Sequence, residues 1–404
     1  MISVEEAKAR ILAAFAPLPA EQVSLPRALG RVLAEDVVAR VTQPPDAVSA
    51  MDGYAVRAAD VEKVPVTLRQ IGEAPAGDAH AGGIGPGETV RIFTGGPLPA
   101  GADTIVIQEN TRAEGNAITV LEPAPAGRYV RPAGLDFAAG QVGIRAGRML
   151  TVRDVGLAAA MNWPWLKVRR RPRIAILATG NEVVMPGDPL NRHQIVSSNG
   201  VALAAFVSAA GGEPIDLGIV PDAPEALQRA AVGARGADLL VTSGGASVGD
   251  YDLVRSALGE TGLAIDFWQI AMRPGKPLIF GRIGGTPMLG LPGNPVSSLV
   301  CAMVFLRPAL AKMMGLAAQP EPTHTALLGV DLAANDRRQD YLRSRLARGA
   351  DGRLIATPFT KQDSSMLSTL AQSDCLVIRP PNAPPAKAGD AVEILPFDGG
   401  LPWF

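Results

Sequence analysis

A chain of 404 residues with 47% hydrophobic content is long enough for several buried cores. Its 38 basic and 39 acidic side chains leave a formal net charge of -1, and aromatics make up 4%, so neither a global pull toward nucleic acid or anionic lipid nor a base-stacking surface is expected. The 44 glycines and 35 prolines fall short of low-complexity composition and belong in turns and strand ends.

In chain order, the opening MISVEEAKAR carries acids where a signal peptide needs a basic region and an apolar core. No apolar run is read as reaching the roughly 18 residues of a membrane span, so a soluble, cytoplasmic chain is expected. Ser3 with Glu6 reads as a capping box opening a helix with apolar face Ala7, Ile11, Leu12 and Phe15. From Val41 to about Asp136 short alternating strands (VTLRQI, TVRIFT, TIVIQE, AITVLE) between Gly/Pro turns make a small β domain. Thr151 and Asp154 start a second helix. The stretch 137–170 lacks an obvious core and is expected to pair with the N-terminal helix, leaving the β domain as an insertion. The basic run Lys167 to Arg173 is read as a solvated domain junction.

From Arg173 the pattern becomes βαβα, with helices expected at 198–210, 223–234 and 251–259 and continuous apolar strands of a buried parallel sheet, FWQIAM, KPLIFG and PMLGLP included. A long helix follows with Asn294 as N-cap, Pro295 first, Pro308 as a kink and Gly315 past its end. Beyond Pro320 only strands are read. The expected class is multidomain α/β plus β. An elongated N-terminal α/β linker domain (1–40 with 137–170) carries an inserted β domain (41–136), followed by a central open α/β domain with a mostly parallel sheet (171–318) and a C-terminal β-barrel-like domain (319–404).

Three strands of the α/β segment end in loops of one chemical kind: Thr179-Gly180-Asn181-Glu182, Ser243-Gly244-Gly245-Ala246-Ser247-Val248-Gly249-Asp250, and Pro292-Gly293-Asn294-Pro295-Val296-Ser297-Ser298. Glycines let bare amides approach a ligand and hydroxyls add donors. The carboxyl ends of the strands of an open α/β sheet share one edge, so the loops should converge on one crevice and cradle a phosphorylated ligand. Glu182, Asp222, Asp250 and Asp252 flank the cradle on one side, carboxylates of the kind that hold Mg²⁺ beside phosphates, directly or through water. Arg273 and Lys276, in Arg273-Pro274-Gly275-Lys276-Pro277, offer cations on the other. Each loop alone could equally be an ordinary turn.

Other chemistries find less support. No loop fits a P-loop, and Gly83-Ile84-Gly85 neither follows a clear strand nor opens a helix. Gly245-Ala246-Ser247-Val248-Gly249 matches a nucleophile elbow, but Ser243-Gly244-Gly245 separate it from its strand, and the only downstream histidine, His324, falls in another domain. His80, His193 and His324 have no ligand spacing, and Cys301 and Cys375 read as buried thiols, which disfavours structural zinc. In the β domain, Ser49-Ala50-Met51-Asp52-Gly53-Tyr54-Ala55 and Thr94-Gly95-Gly96-Pro97 read as loops richer in glycine and polar groups than a turn requires.

With SAMDGYA at 49–55, RIFTGGP at 91–97, TGNE at 179–182, SGGASVGDYD at 243–252, RPGKP at 273–277 and GLPGNPVSS at 290–298 in this order, the chain resembles the molybdopterin molybdenumtransferase family, MoeA and the gephyrin E domain. The resemblance runs from the first helix to the C-terminal β domain. It implies a molybdopterin-binding α/β domain and a transferase that inserts molybdate into adenylyl-molybdopterin with Mg²⁺, releasing AMP and forming the molybdenum cofactor. It further implies an elongated homodimer in which Asp52 acts in trans, and transient contact with the adenylyltransferase and molybdoenzyme chaperones.

By analogy, Asp52, Thr94, Glu182, Asp222, Asp252 and Lys276 carry the adenylate, metal and transfer chemistry, with Arg273 and Lys276 on anions. Substrate contacts fall to Thr179, Gly180, Ser243, Gly244, Gly245, Ser247, Asp250, Arg273, Pro292, Gly293, Asn294 and Ser297, and Ser364 matches a family serine near the molybdate region. Three positions depart from the family pattern: Asn181 where many members have Asp, Arg273 where some have Lys, and Asp363-Ser364-Ser365 where Gly-Ser-His is found. Asn181 removes one possible metal ligand. The preceding adenylylation step and a non-catalytic, gephyrin-like scaffold are the alternative functions.

Overall fold

The structure is a computed structural model, and it describes residues 1–223, 229, 232–244, 263–316 and 323–397. The first helix, Val4–Ala13, is capped by Ser3, whose hydroxyl accepts from the Glu6 amide at 3.1 Å. Only that half of the expected capping box forms, because the Glu6 carboxylate turns instead to Arg10 one turn on. The helix packs chiefly on the α/β core, to which 137–170 adds Met149. Val4, Ala7, Ile11 and Phe15 join the main α/β core, and Lys312 donates to the carbonyl of Leu12 at 2.7 Å.

The stretch 137–170 has a core after all, shared with residues 20–40. Ala20–Ser24 pairs antiparallel with Trp165–Arg169, and Val37–Val38 with Val142–Ile144. Leu33, Val37, Phe137, Ile144, Leu150, Met161 and Leu166 fill the space between them. The helix Val152–Ala160 carries a complete capping box, Thr151 and Asp154 bonding each other's amides. The basic run at its far side is paired: Lys167 with Glu35, Arg170 bidentate with Asp238, and Arg173 with Glu213.

Between these halves lies a six-stranded sheet in the order Thr104–Ile107, Gly53–Val56, Glu88–Ile92, Val66–Ala74, Ala117–Val120, Thr111–Glu114. The SAMDGYA segment is therefore only half loop. Gly53 to Val56 form a fully buried strand with neighbours on both sides.

The α/β sheet runs Glu213–Val220, Arg173–Thr179, Leu239–Ser243, Thr286–Leu291, Pro277–Ile283, Leu263–Gln269. Its first three junctions are parallel and its last two antiparallel, so the sheet is mixed rather than wholly parallel. The reason is local. Gly284 and Gly285 both take positive φ, 51° and 90°, which makes the tight two-residue turn of an antiparallel hairpin. The expected helix 251–259, and most of that at 223–234, lie outside the described residues.

The helical run Pro295–Met313 is, against the sequence expectation, long and apolar enough to cross a membrane, at 19 residues and mean hydropathy 1.5. Its apolarity has another cause: 67% of that window is buried, with Val300, Phe305 and Leu310 in the α/β core. The kink expected at Pro308 appears as a π-helical stretch, Ala302–Leu306, just before it. Widening the turn relieves the ring's clash with the carbonyl four residues back and the hydrogen bond it cannot make. Beyond it, Gln339–Arg348 pairs with both Leu354–Pro358 and Cys375–Arg379, closing a five-stranded barrel with His324–Leu328 and Ala391–Pro396. A short helix, Leu367–Ala371, that the strand pattern does not suggest packs beside it, and Met272–Arg273 from the α/β segment adds to the barrel edge.

Candidate active site

The adjacent parallel strands Arg173–Thr179, Leu239–Ser243 and Thr286–Leu291 deliver Thr179, Ser243 and, one turn later, Gly293 to one edge of the sheet. The chain packs so closely there that a Cβ on Gly244 would stand 2.4 Å from the Thr179 carbonyl oxygen, and Gly244 has φ +95°. Only glycine fits. Gly293 in turn abuts Gly244, its Cβ position lying 3.6 Å from the Gly244 Cα. Thr179 is 6% exposed and its Oγ1 has no hydrogen-bond partner among the described residues, an orphaned buried donor at the sheet edge.

Gly180, at φ +143°, is folded over by Glu182, whose Oε2 would meet an added Cβ at 2.8 Å. Asn181, in place of a carboxylate, accepts the Asp222 amide at 3.2 Å and so ties the ends of two neighbouring strands. Glu182 and Asp222 thus stand on adjacent loops, Glu182 exposed and Asp222 half-buried. The third member of the expected metal set, Asp252, lies outside the described residues, as do Gly245, Ser247 and Asp250. Among the described residues no group of three or more metal-ligating side chains assembles.

Arg273 and Lys276 differ sharply. Arg273 grips the buried Asp340 carboxylate with Nε at 2.9 Å and one terminal nitrogen, and Asp336 lies 3.7 Å from another. Its charge is already compensated. Lys276 is exposed and, among the described residues, forms no ion pair, so it is the freer cation for an anionic ligand.

The barrel reaches the same edge. Asn294 occupies the N-cap position, with Pro295 next, but its side chain does not cap. It donates to the Ser364 hydroxyl at 2.9 Å, while the Ser364 carbonyl accepts the Val296 amide at 3.1 Å, so the barrel loop itself satisfies the helix end. Ser297 is buried just behind. Replacing Asn294 with Ala is expected to cost about 0.5–1.5 kcal/mol of stability, read as a lowered thermal midpoint. The loop around Ser364 is anchored by a residue the sequence reading passed over. Arg343, 1% exposed, bonds the Gln362 side chain at 3.2 Å and the Met366 carbonyl at 3.1 Å. Asp363 accepts from the Ser365 hydroxyl and amide, which hold its carboxyl below the usual range.

In the β domain, Asp52 accepts from both the amide and the hydroxyl of Thr94, at 2.7 and 2.8 Å. These bonds, with nearby Arg91, hold its carboxyl below the ordinary value, so it is ionised throughout the neutral range; the pairing is complete above pH about 4 and is lost as pH falls through the lowered pKa. Ser49 and Gly95–Gly96 exchange backbone hydrogen bonds and fix the two loops together. Among the described residues, neither Asp52 nor Thr94 is hydrogen-bonded to the α/β strand ends.

Family models match along most of the chain: the MoeA N-terminal region (domain I and II) at residues 2–162, a probable molybdopterin binding domain at 175–312, and the MoeA C-terminal region (domain IV) at 325–397. A molybdopterin molybdenumtransferase from Nostoc sp. is 40% identical over 373 residues, covering 89% of this chain and 85% of that protein. One from Haemophilus influenzae is 32% identical, covering 98% and 99%. The crystal structure of a molybdopterin biosynthesis MoeA protein from Pyrococcus horikosii superposes with a TM-score of 0.86 at 32% identity, covering 99% of this chain and all of that one. On these matches, the chain belongs to the MoeA family of molybdopterin molybdenumtransferases.

Proposed function

We propose that the chain inserts molybdate into adenylyl-molybdopterin, releasing AMP and giving the molybdenum cofactor. The observation that carries this reading is the strand edge where Thr179 holds a buried hydroxyl with no partner among the described residues, Gly244 and Gly293 bring bare backbone together, and Glu182 and Asp222 stand on adjacent loops. A pterin phosphate would lie on the glycine edge. Molybdate, itself a dianion, must then approach the dithiolene of an already anionic ligand, and Lys276 offsets the like-charge repulsion. Overall, two sulfur–molybdenum bonds form with loss of oxygen from molybdate as water, and the phosphoanhydride to AMP is hydrolysed.

Carboxylate oxygens are the donors Mg²⁺ prefers. Glu182 and Asp222 would hold it together with Asp252, and it would supply charge neutralisation at the anhydride. Asp52, ionised and oriented by Thr94, would complete the site from a second subunit of a homodimer. We place the protein in the cytoplasm, with transient contact to the preceding adenylyltransferase and to molybdoenzyme chaperones.

Asp52→Ala, Glu182→Ala and Asp252→Ala proteins should fold yet fall about 10²–10³-fold in cofactor formation from adenylyl-molybdopterin and molybdate. Full activity in all three would refute the site. The adenylylation step is tested separately: molybdopterin, ATP and Mg²⁺ should give no transfer of AMP.

A further inference from the structure

Asn199, which neither the motifs nor the family match singles out, stands in the first turn of the helix Ser198–Ala209. Its side-chain nitrogen lies 2.8 Å from the Ser243 Oγ and 2.7 Å from the Gly293 carbonyl oxygen. A carbonyl can only accept, so the second contact fixes which end of the amide faces the strand ends. Both amide protons are then committed, one to each partner. Ser243 must therefore accept from Asn199, and its own hydroxyl proton is left over.

Ser243 is 3% exposed, and its hydroxyl has no other hydrogen-bonding partner among the described residues. A buried hydroxyl with an unspent donor needs an acceptor. Thr179, on the neighbouring strand end, has a buried hydroxyl with no partner among the described residues, an independent sign that this edge is completed by a ligand.

We propose that Asn199 is a positioning residue that sets the direction of the Ser243 hydroxyl, making Ser243 a donor to an anionic oxygen of the bound pterin ligand. The hydrogen-bond chain runs one way, from Asn199 into Ser243 and from Ser243 into the ligand. It favours phosphate or another pure acceptor over a group that must donate. This inference rests on the proposed function and deepens it.

The test is a set of binding titrations with adenylyl-molybdopterin on purified full-length protein: wild type, Asn199→Ala, Asn199→Asp, Ser243→Ala and the Asn199→Ala/Ser243→Ala double variant. Asn199→Ala should weaken binding about tenfold, the scale of one net hydrogen bond, and raise KM more than it lowers kcat. The double variant should bind no worse than Ser243→Ala alone, because Asn199 acts through that hydroxyl. Asn199→Asp keeps the size but reverses the wiring: the carboxylate accepts the Ser243 proton and turns a lone pair toward the ligand. It should bind more weakly than Asn199→Ala, whereas a merely space-filling role predicts the opposite order.

Additive losses in the double variant, or Asn199→Asp binding as well as wild type, overturn the inference while leaving the proposed function standing. A wild type that does not bind adenylyl-molybdopterin overturns both. Asn199→Asp keeps the comparison with wild type usable if Asn199→Ala fails to fold.

Discussion

Mixing Asp52→Asn protein with Glu182→Gln protein is expected to restore cofactor formation that neither supplies alone. Among the described residues, Asp52 and Thr94 bond each other and make no hydrogen bond to the strand-end loops of their own chain, as expected if the β-domain carboxylate serves a site on the partner subunit. In a homodimer with two symmetric sites, each built from both chains, a mixed dimer has one site carrying both substitutions and one carrying neither. Random exchange would make half the dimers mixed, so the ceiling is about one quarter of wild-type activity. Each parent should be down about 10²–10³-fold. Co-expression with two affinity tags isolates the mixed dimer, in which about half the wild-type rate is expected. If Asp52 acted within its own subunit, a mixed dimer would hold two singly damaged sites and recover nothing.

Asp52→Asn is the informative variant because asparagine can still accept from the Thr94 amide and fills the same space. What it loses is the charge that Thr94 and Arg91 stabilise. Since that carboxyl is held below its ordinary range, the difference between Asp52 and its amide should be constant from pH 6 to 8. An activity ratio that changes across this interval would mean that another group titrates with the step.

Much of this organisation is visible in the sequence because it rests on short-range rules. Thr151 and Asp154 form a capping box with nothing but their own turn, and the α/β loops are marked by glycines whose neighbours leave no room for a side chain. What escapes the sequence reading depends on contacts from elsewhere. Arg343 looks like one of several arginines in YLRSRLAR, and its burial follows from sharing a strand face with Tyr341 under the loop that carries Ser364. Asn199 gains its place only when three strand ends meet. The mixed sheet is a different kind of miss: Gly284-Gly285 between apolar runs is a hairpin signal, overlooked because the preceding βα alternation suggested that every later strand was parallel. The basic run 167–173 was readable as charge but not as pairing, since Glu35, Asp238 and Glu213 come from distant segments.

The Gly53→Ala protein is expected to lose about 3 kcal/mol of stability together with most of its activity. Gly53 follows Asp52 directly and starts the buried strand Gly53–Val56. A Cβ there would lie 2.1 Å from the Val106 carbonyl oxygen and 2.9 Å from the Ile107 Cα. Both are backbone atoms of the paired strand, so no side-chain rotation can relieve the clash. The strand is also held on its other side by Glu88–Ile92, which leads through Phe93 into Thr94. Any movement that admits the methyl group must therefore alter either the strand pairing or the 2.7 Å bond from Thr94 to Asp52. Calorimetry should show the loss as a lowered transition of the β domain. The α/β core, built on separate contacts, should unfold as in wild type. Retained activity and an unchanged transition would mean that the two strands part without cost at Gly53, and that Asp52 owes its position to Thr94 alone.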